Sequence, residues 1–284
     1  MYRLSHQTIT NKGLFINYKA DCENCFGLCC VALPFIKSAD FAVDKDGGVP
    51  CKNLQEDYRC GIHEGLRGKG YKGCTVYECF GAGQKVSQFT YKGRDWREDK
   101  NAAKEMFHVF PIMQQLHEML YYLQEALILA ETRSIHNEIQ KVLEETEALT
   151  KLNPNSLMDL NVSNHRKVVN EYLLKSSELV RHKVKKDKNH LKKVGKGMDL
   201  IGAKLKGANL KGMSWRGTFL IAADLRESDL RYCDFIGSDL RDANLHGANL
   251  QGSIFLTQAQ VNAAEGDKNT KLPSHLNVPE HWLT

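Results

Sequence analysis

The sequence of 284 residues lacks the signatures that would assign it a function directly. Its longest apolar stretch, "EMLYYLQEALILA" at 118–130, is interrupted by Gln and Glu and is too short to span a bilayer. It has no HExxH pattern and no dinucleotide-binding fingerprint. The glycine-rich "GAGQK" at 81–85 lacks the spacing and the following Ser or Thr of a phosphate-binding loop. No Ser-His-Asp order emerges either, which leaves enzymes open because such triads are spatial arrangements.

A targeting segment and a strong charge imbalance are also missing. The N-terminal "MYRLSHQTITNKGLF" has no apolar core and no small-residue cleavage site, so we expect no secretory signal and a cytoplasmic location. The net charge of +5 is mild for a dedicated nucleic-acid binder, so nucleic acid is not expected as a partner. No membrane span is predicted.

Cysteine, in contrast, is abundant and concentrated near the N-terminus. Eight of the nine cysteines fall within residues 22–79, and "CENCFGLCC" alone places four of them in nine positions. In a reducing cytosol such a cluster favours metal binding or catalysis over disulfides. The predicted metal ligands are Cys22, Cys25, Cys29, Cys30, Cys51, Cys60, Cys74 and Cys79.

The identity of the metal stays open at this point. Eight thiolates suit two four-coordinate zinc ions, or one [4Fe–4S] cluster with spare cysteines. Purely reactive thiols or disulfides are the third alternative. His63, three residues after Cys60, is either a further ligand or an exposed loop histidine. Because little else in residues 1–98 could form a core, metal binding is expected to supply folding free energy there.

This pattern resembles the YkgJ-type cysteine-cluster family, which is described as zinc- or iron-chelating. "CENCFGLCC" is similar to its first cysteine run with altered spacing, and "CKNLQEDYRCGIH" is similar to its middle element, with His63 in place of a tyrosine. "GCTVYEC" is similar to its closing cysteine pair. The resemblance covers about residues 20–80 and implies metal chelation.

Residues 99–193 follow a helical pattern. Met113, Leu116, Leu120, Leu123 and Leu127 recur at three- and four-residue steps, and two further stripes follow. We predict a small helical bundle with Pro111 in the first turn of its first helix. The stripe could also mediate a homodimer. The basic run "RHKVKKDKNHLKK" at 181–193 is either a solvated helix end or a grip for nucleic acid or anionic lipid.

Residues 198–255 repeat with a period of five. A large apolar residue occupies the centre of each unit, mostly with a small residue two positions earlier. A helix does not fit, because a period of five drifts around its axis. The twelve centres are Leu200, Leu205, Leu210, Trp215, Leu220, Leu225, Leu230, Phe235, Leu240, Leu245, Leu250 and Phe255.

This segment resembles the pentapeptide-repeat family, whose fold is a right-handed quadrilateral β-helix. Four units would make one coil of 20 residues, so Trp215, Phe235 and Phe255, spaced by 20, are predicted to stack in one column over three coils. Cys233 occupies a small inward position and is expected to be a buried structural thiol. A short capping helix is expected within 257–267 because repeat arrays need closed ends.

The sequence therefore predicts a multidomain chain. Its parts are a cysteine-rich metal-binding module (1–98), a helical bundle or connector (99–193), a pentapeptide-repeat β-helix (194–256), and a C-terminal cap and strap (257–284). The predicted function is a non-catalytic interaction platform for an unidentified protein partner, with zinc stabilising the N-terminal module. The first alternative is an iron–sulfur redox or electron-transfer enzyme.

A second alternative comes from pentapeptide-repeat proteins of the quinolone-resistance type, which bind DNA gyrase by mimicking DNA. That mimicry needs a long, acidic rod. Here the outward positions mix basic and acidic residues, which makes a poor phosphate mimic.

Overall fold

The computed structural model describes residues 15–182, 184 and 199–283. The first described region, 15–98, consists of short elements separated by turns. Its α-helices are α1 (Leu28–Ala32), α2 (Lys72–Thr75) and α3 (Ala82–Gln84). Its 3₁₀ turns are Ile16–Tyr18, Cys22–Asn24 and His63–Gly65, and a π-helical segment, Lys85–Thr90, follows α3.

The second region is the predicted helical bundle. Its elements are α4 (Lys100–Ile128), a 3₁₀ segment (Ala130–Ile135), α5 (His136–Leu149), α6 (Pro154–Met158) and α7 (Val162–His182). Helix α4 buries the predicted stripe, including Met113, Leu116 and Leu123, against α5, α6 and α7. The bundle follows from this amphipathic pattern because each helix has one apolar face to cover.

The predicted start of the first helix is wrong. Helix α4 begins at Lys100, where the Asp99 side chain accepts hydrogen bonds from the backbone N–H groups of Asn101 and Ala102. Pro111 lies in the helix interior instead of the first turn. The apolar spacing already runs through Met106 and Phe110, and burial of these side chains extends the helix across the proline.

The predicted right-handed quadrilateral β-helix is also wrong, since the residues described here contain no β-strand. Residues 199–256, which we call the repeat coil, instead form five-residue turns joined by isolated parallel bridges, such as Lys204 to Asp224. Every fifth residue has a positive φ, as at Gly207 (65°). That left-handed residue breaks the extended backbone after each bridge, so two consecutive residues never pair as a strand needs.

The predicted stacking at 20 residues is confirmed. The bridges within the repeat coil join residues 20 apart, and Trp215, Phe235 and Phe255 are all buried. The tail closes one end of the coil: α8 (Gln258–Ala263) has a capping box of Thr257 and Gln260, and a 3₁₀ turn, Glu280–Trp282, follows. The expected short helix within 257–267 is therefore present.

The bundle and the repeat coil share a buried contact. Ile254 and Phe255 belong to the apolar core of the bundle, and the Phe255 ring meets the Tyr122 ring edge-on with centroids 5.7 Å apart. The Glu125 Oε1 atom accepts a hydrogen bond of 2.8 Å from the Phe255 backbone N–H. Helix α4 therefore holds the last unit of the coil.

The cysteine-rich region also contacts the coil. Arg241 of the coil lies 3.6 Å from the Asp40 carboxylate, and Lys72 forms an ion pair with Asp242. Most of the basic run at 181–193 falls outside the described residues. No helix in the described ranges is both long and apolar enough to cross a bilayer.

Candidate metal centre

The loop that carries the cysteine run is built around a glycine. Gly27 has a φ of 64°, and a Cβ there would stand 2.7 Å from the Leu54 Cδ1 atom and 3.0 Å from the Tyr58 carbonyl oxygen. Only glycine fits this left-handed, crowded position. Helix α1 starts at the next residue and carries Cys29 and Cys30 in its first turn, with their sulfur atoms 3.9 Å apart.

One group of thiols gathers on the side of Cys29. The hydrogen bond with Cys30 raises the pKa of the Cys29 thiol most, followed by burial and by its interactions with Cys30, Cys25 and Cys79. Cys22 lies close enough to Cys25 for their interaction to raise its pKa after the larger effect of burial. We call Cys22, Cys25, Cys29 and Cys79 the first thiol set.

Backbone N–H groups point at two sulfur atoms of this set. Burial raises the pKa of the Cys25 thiol, and hydrogen bonds from the backbone N–H groups of Leu28 and Gly27 oppose that rise. Burial likewise raises the pKa of Cys79 to about 11, against hydrogen bonds from the N–H groups of Gly83 and Gly81. Donors of this kind stabilise a sulfur that carries negative charge, as a metal-bound thiolate does.

The second group lies on the side of Cys30. The Cys51 N–H donates a hydrogen bond of 2.9 Å to the Cys30 carbonyl, and Cys60 is paired with Leu54 in an antiparallel bridge. Burial raises the pKa of the Cys74 thiol to about 12, followed by its interactions with Cys30, Cys51 and Cys60. We call Cys30, Cys51, Cys60 and Cys74 the second thiol set.

A buried lysine stands beside the second thiol set. The Lys45 side chain is only 8% exposed, and its Nζ atom donates hydrogen bonds to the carbonyl oxygens of Val31, Asp46 and Val49 at 3.2, 3.0 and 2.9 Å. Burial lowers the pKa of Lys45, and the neighbouring Cys51 and Cys30 oppose this. A fixed ammonium group favours negative charge on nearby sulfur.

The remaining candidates, His63 and Cys233, belong to neither thiol set. His63 is exposed in its 3₁₀ turn, and Cys233 is buried in the repeat coil, where its thiol donates to the Leu210 carbonyl at 3.1 Å. All nine cysteines are free thiols. Within the described ranges no three Cys, His, Asp or Glu side chains already stand in metal-binding geometry.

The chemistry of the donors nevertheless suits a thiophilic metal. Two groups of four cysteines match the ligand number of a structural zinc ion or of one iron–sulfur cluster each. The N–H donors at Cys25 and Cys79 and the ammonium group of Lys45 supply the partners that thiolate ligands need. Sequence reasoning found the cysteines but neither their division into two sets nor Lys45, which has no sequence signature.

Comparison with known protein families first identifies the class of repeat in residues 199–255. The profile of pentapeptide repeats matches residues 199–231 and 220–255, with eight copies. The repeat coil is therefore a pentapeptide-repeat segment, on a chain whose N-terminal region carries two thiol sets. The resemblance of residues 20–80 to the YkgJ type stays a prediction.

A relative similar over nearly the whole chain is the uncharacterized protein YybG of Bacillus subtilis (strain 168). The two sequences are 65% identical over 279 residues, which cover 98% of this chain and 100% of YybG. This chain belongs to the same family as YybG.

Proposed function

We propose that this protein is a metal-binding, non-catalytic interaction platform, in which two metal centres hold the cysteine-rich region and the pentapeptide-repeat coil presents a protein-binding surface. The observation that carries the proposal is the gathering of eight free thiols in residues 22–79, which we group into two sets of four around the adjacent Cys29 and Cys30. Adjacent residues in one helical turn point in different directions, so each of the two can serve its own set.

Metal binding would take the place of an apolar core in residues 33–65, whereas flanking residues such as Leu28, Val31 and Phe80 pack into the core of the bundle. From residue 33 to 65, a fully described stretch, Lys45 is the only buried side chain. A segment that buries so little apolar surface has little hydrophobic free energy to offset its loss of conformational entropy. A metal ion in the second thiol set, cross-linking Cys51, Cys60 and Cys74 to Cys30 of helix α1, would supply that free energy.

The surface charges of the repeat coil favour binding to a protein partner over mimicry of nucleic acid. Its surface arginines pair with aspartates of the same unit: Arg226 with Asp224 at 2.7 Å, and Arg231 with Asp229 at 2.6 Å. Aspartates neutralised in this way do not present the unpaired negative charge of a phosphate backbone. The gyrase-binding alternative therefore has little support.

Iron–sulfur redox chemistry is the second candidate. It is supported by the N–H donors on the sulfur atoms of Cys25 and Cys79, because hydrogen bonds to sulfur tune the potential of such clusters. The alternative differs from the platform in one property: its metal centre must accept and release electrons.

The test is an anaerobic preparation of the full chain, analysed for bound metal by mass spectrometry and for visible absorbance. The platform predicts two zinc ions per chain with no visible band, and the same content in Cys233→Ser. Iron with sulfide and a band near roughly 400 nm would favour the redox candidate. A metal-free protein that keeps its full stability would contradict both.

A further inference from the structure

A cleft of about 580 Å³ lies on the other side of the turn that follows Cys79. Its walls are the segment before Cys22, the stretch from Gly81 to Phe89, and helices α4 and α5 of the bundle. This volume falls within the range of small-molecule sites. The thiol sets do not line it, so an argument from its residues is independent of metal binding.

At the floor of the cleft stands a histidine whose tautomer is fixed. The His117 Nδ1 atom lies 2.8 Å from the Phe80 carbonyl oxygen, which can only accept, so Nδ1 carries the proton. The Nε2 atom then has a free lone pair and makes no hydrogen bond to any residue in the described ranges. The side chain is 7% exposed, and burial lowers its pKa to about 4, which keeps the ring neutral. Nε2 is therefore an acceptor, on a largely buried side chain, that can receive a ligand O–H or N–H group.

Three ammonium groups surround the cleft, on Lys19, Lys85 and Lys151. None forms an ion pair with a residue in the part of the chain that is described. Burial lowers the pKa of Lys85, the nearby Lys151 lowers it further, and the Glu147 carboxylate opposes both. Of the two acidic residues present, Asp21 already accepts hydrogen bonds from Asn24 and from a backbone N–H.

Glu147 is thus the acidic group in the cleft whose carboxylate accepts no hydrogen bond from the described residues. Two carboxylates, Asp21 and Glu147, against three ammonium groups leave a net positive charge of one in the cleft. A bound anion would relieve the repulsion between Lys85 and Lys151.

Two aromatic rings complete the cleft. Phe89 is 69% exposed, and its ring centroid lies 4.9 Å from the Lys85 Nζ atom. Both residues belong to the π-helical segment Lys85–Thr90, and such segments are frequent at functional sites. Tyr18 packs edge-on against the His117 ring, with centroids 6.2 Å apart. Together they offer faces on which a flat ring can stack.

We infer that this cleft binds a small ring compound carrying a carboxylate and a hydroxyl or N–H donor. The ammonium groups of Lys85 and Lys151 take the carboxylate, Phe89 and Tyr18 flank the ring, and His117 Nε2 accepts the donor. This site does not depend on whether the thiol sets hold metal.

The test uses 4-hydroxybenzoate, benzoate and phenol as probes, with binding to the full chain followed by protein-observed NMR. We expect 4-hydroxybenzoate to bind most tightly, with shifts at Tyr18, Phe89 and His117. Lys151→Met should weaken both benzoates by about tenfold, the loss of one charge-assisted contact. Lys141→Met, an exposed lysine on α5 outside the cleft, is the matched control and should leave binding unchanged.

The His117→Asn variant tests the acceptor role of the Nε2 atom without removing the hydrogen bond that holds the side chain in place. Asparagine can still donate to the Phe80 carbonyl but has no counterpart to Nε2. This variant should lose the preference for 4-hydroxybenzoate over benzoate while keeping the affinity for benzoate. Absence of saturable shifts at the cleft with any probe up to about 10 mM, the range for fragment-sized ligands, would overturn the inference. Equal weakening by Lys151→Met and Lys141→Met would overturn it too.

Discussion

The repeat coil and the cysteine-rich region differ in how much apolar surface they bury. In the coil, nearly every five-residue unit buries one large apolar side chain, so the period of the sequence is also the period of the core. In the cysteine-rich region, residues 33–65 bury no apolar side chain at all. The difference shows that stacked similar units give the coil a core of its own, whereas residues 33–65 need another source of stability, for which we propose metal cross-links.

Removal of metal should produce the largest difference in stability between the two regions. At a thousandfold excess of metal over Kd, each occupied site adds about 4 kcal/mol of stability, which a chelator would remove. We expect hydrogen exchange at residues 33–65 to accelerate after chelation while residues 199–256 stay protected. Equal loss of protection in both regions would show that metal does not stabilise the cysteine-rich region in particular.

Truncation of the aromatic column should have the next largest effect. Phe235 is fully buried in the coil, so Phe235→Ala should lower the free energy of unfolding by about 3–5 kcal/mol. Phe219, 48% exposed on the same coil, is the matched control, and Phe219→Ala should change stability by about 0.5 kcal/mol. Urea unfolding with and without chelator measures the free energy of unfolding of both variants. A loss for Phe235→Ala that depends on metal would contradict the separate stabilisation of the two regions.

The contact between bundle and coil should respond to pH. Glu125 is 2% exposed, and its Oε2 atom has no hydrogen-bond partner among the described residues. Burial raises its pKa to about 8; the Phe255 N–H lowers this pKa and Asp234 raises it. The native state therefore keeps a proton that the unfolded state releases above its pKa of 4.5. Stability from this group should fall by on the order of 1.4 kcal/mol per pH unit up to about pH 8.

Glu125→Gln keeps an acceptor for the Phe255 N–H but cannot titrate, so it should flatten that fall. Stability curves measured from acidic to alkaline pH provide the check. Glu138→Gln, an exposed residue on α5, should leave the slope as in the unmodified protein. An unchanged slope in Glu125→Gln would mean that Glu125 is ionised in the folded protein.

The smallest effect should come from the backbone of the coil. Gly207 has a φ of 65°, and a Cβ there would meet no atom within 4 Å, so Gly207→Ala tests conformation alone. The substitution should destabilise by about 1 kcal/mol because an L-residue resists this region. Gly68→Ala, whose φ is not left-handed and whose Cβ would have its nearest neighbour 3.9 Å away, should not destabilise. Equal thermal unfolding of the two variants would argue against the turn-based description of the coil.

The same contrast explains what the sequence could predict. The spacing of Trp215, Phe235 and Phe255 predicted their stacking, because residues 20 apart occupy the same position in successive coils. The strands were predicted wrongly, although glycines such as Gly207 and Gly212, which occupy most of the corresponding positions of the repeat, already indicated a left-handed residue that interrupts extension. The start of α4 was predicted wrongly because Pro111 was placed in the first turn. The capping residue is Asp99, which lies well before that proline.

The candidate site was less predictable. The eight cysteines were visible as a group, but assignment to one set or the other depends on which sulfur atoms tertiary contacts bring together. Lys45 and His117 have no distinguishing neighbours in the sequence. Their importance comes from burial, which a lone sequence does not reveal.

The most direct test of the two-set arrangement is the metal content of Cys79→Ser and Cys74→Ser, measured by mass spectrometry on the full chain beside Cys233→Ser. Each of the first two variants removes a ligand from one set. The account predicts two ions in the unmodified protein and in Cys233→Ser, and one ion in each of the other variants. Loss of both ions from either single variant, or no metal in the unmodified chain, would contradict it.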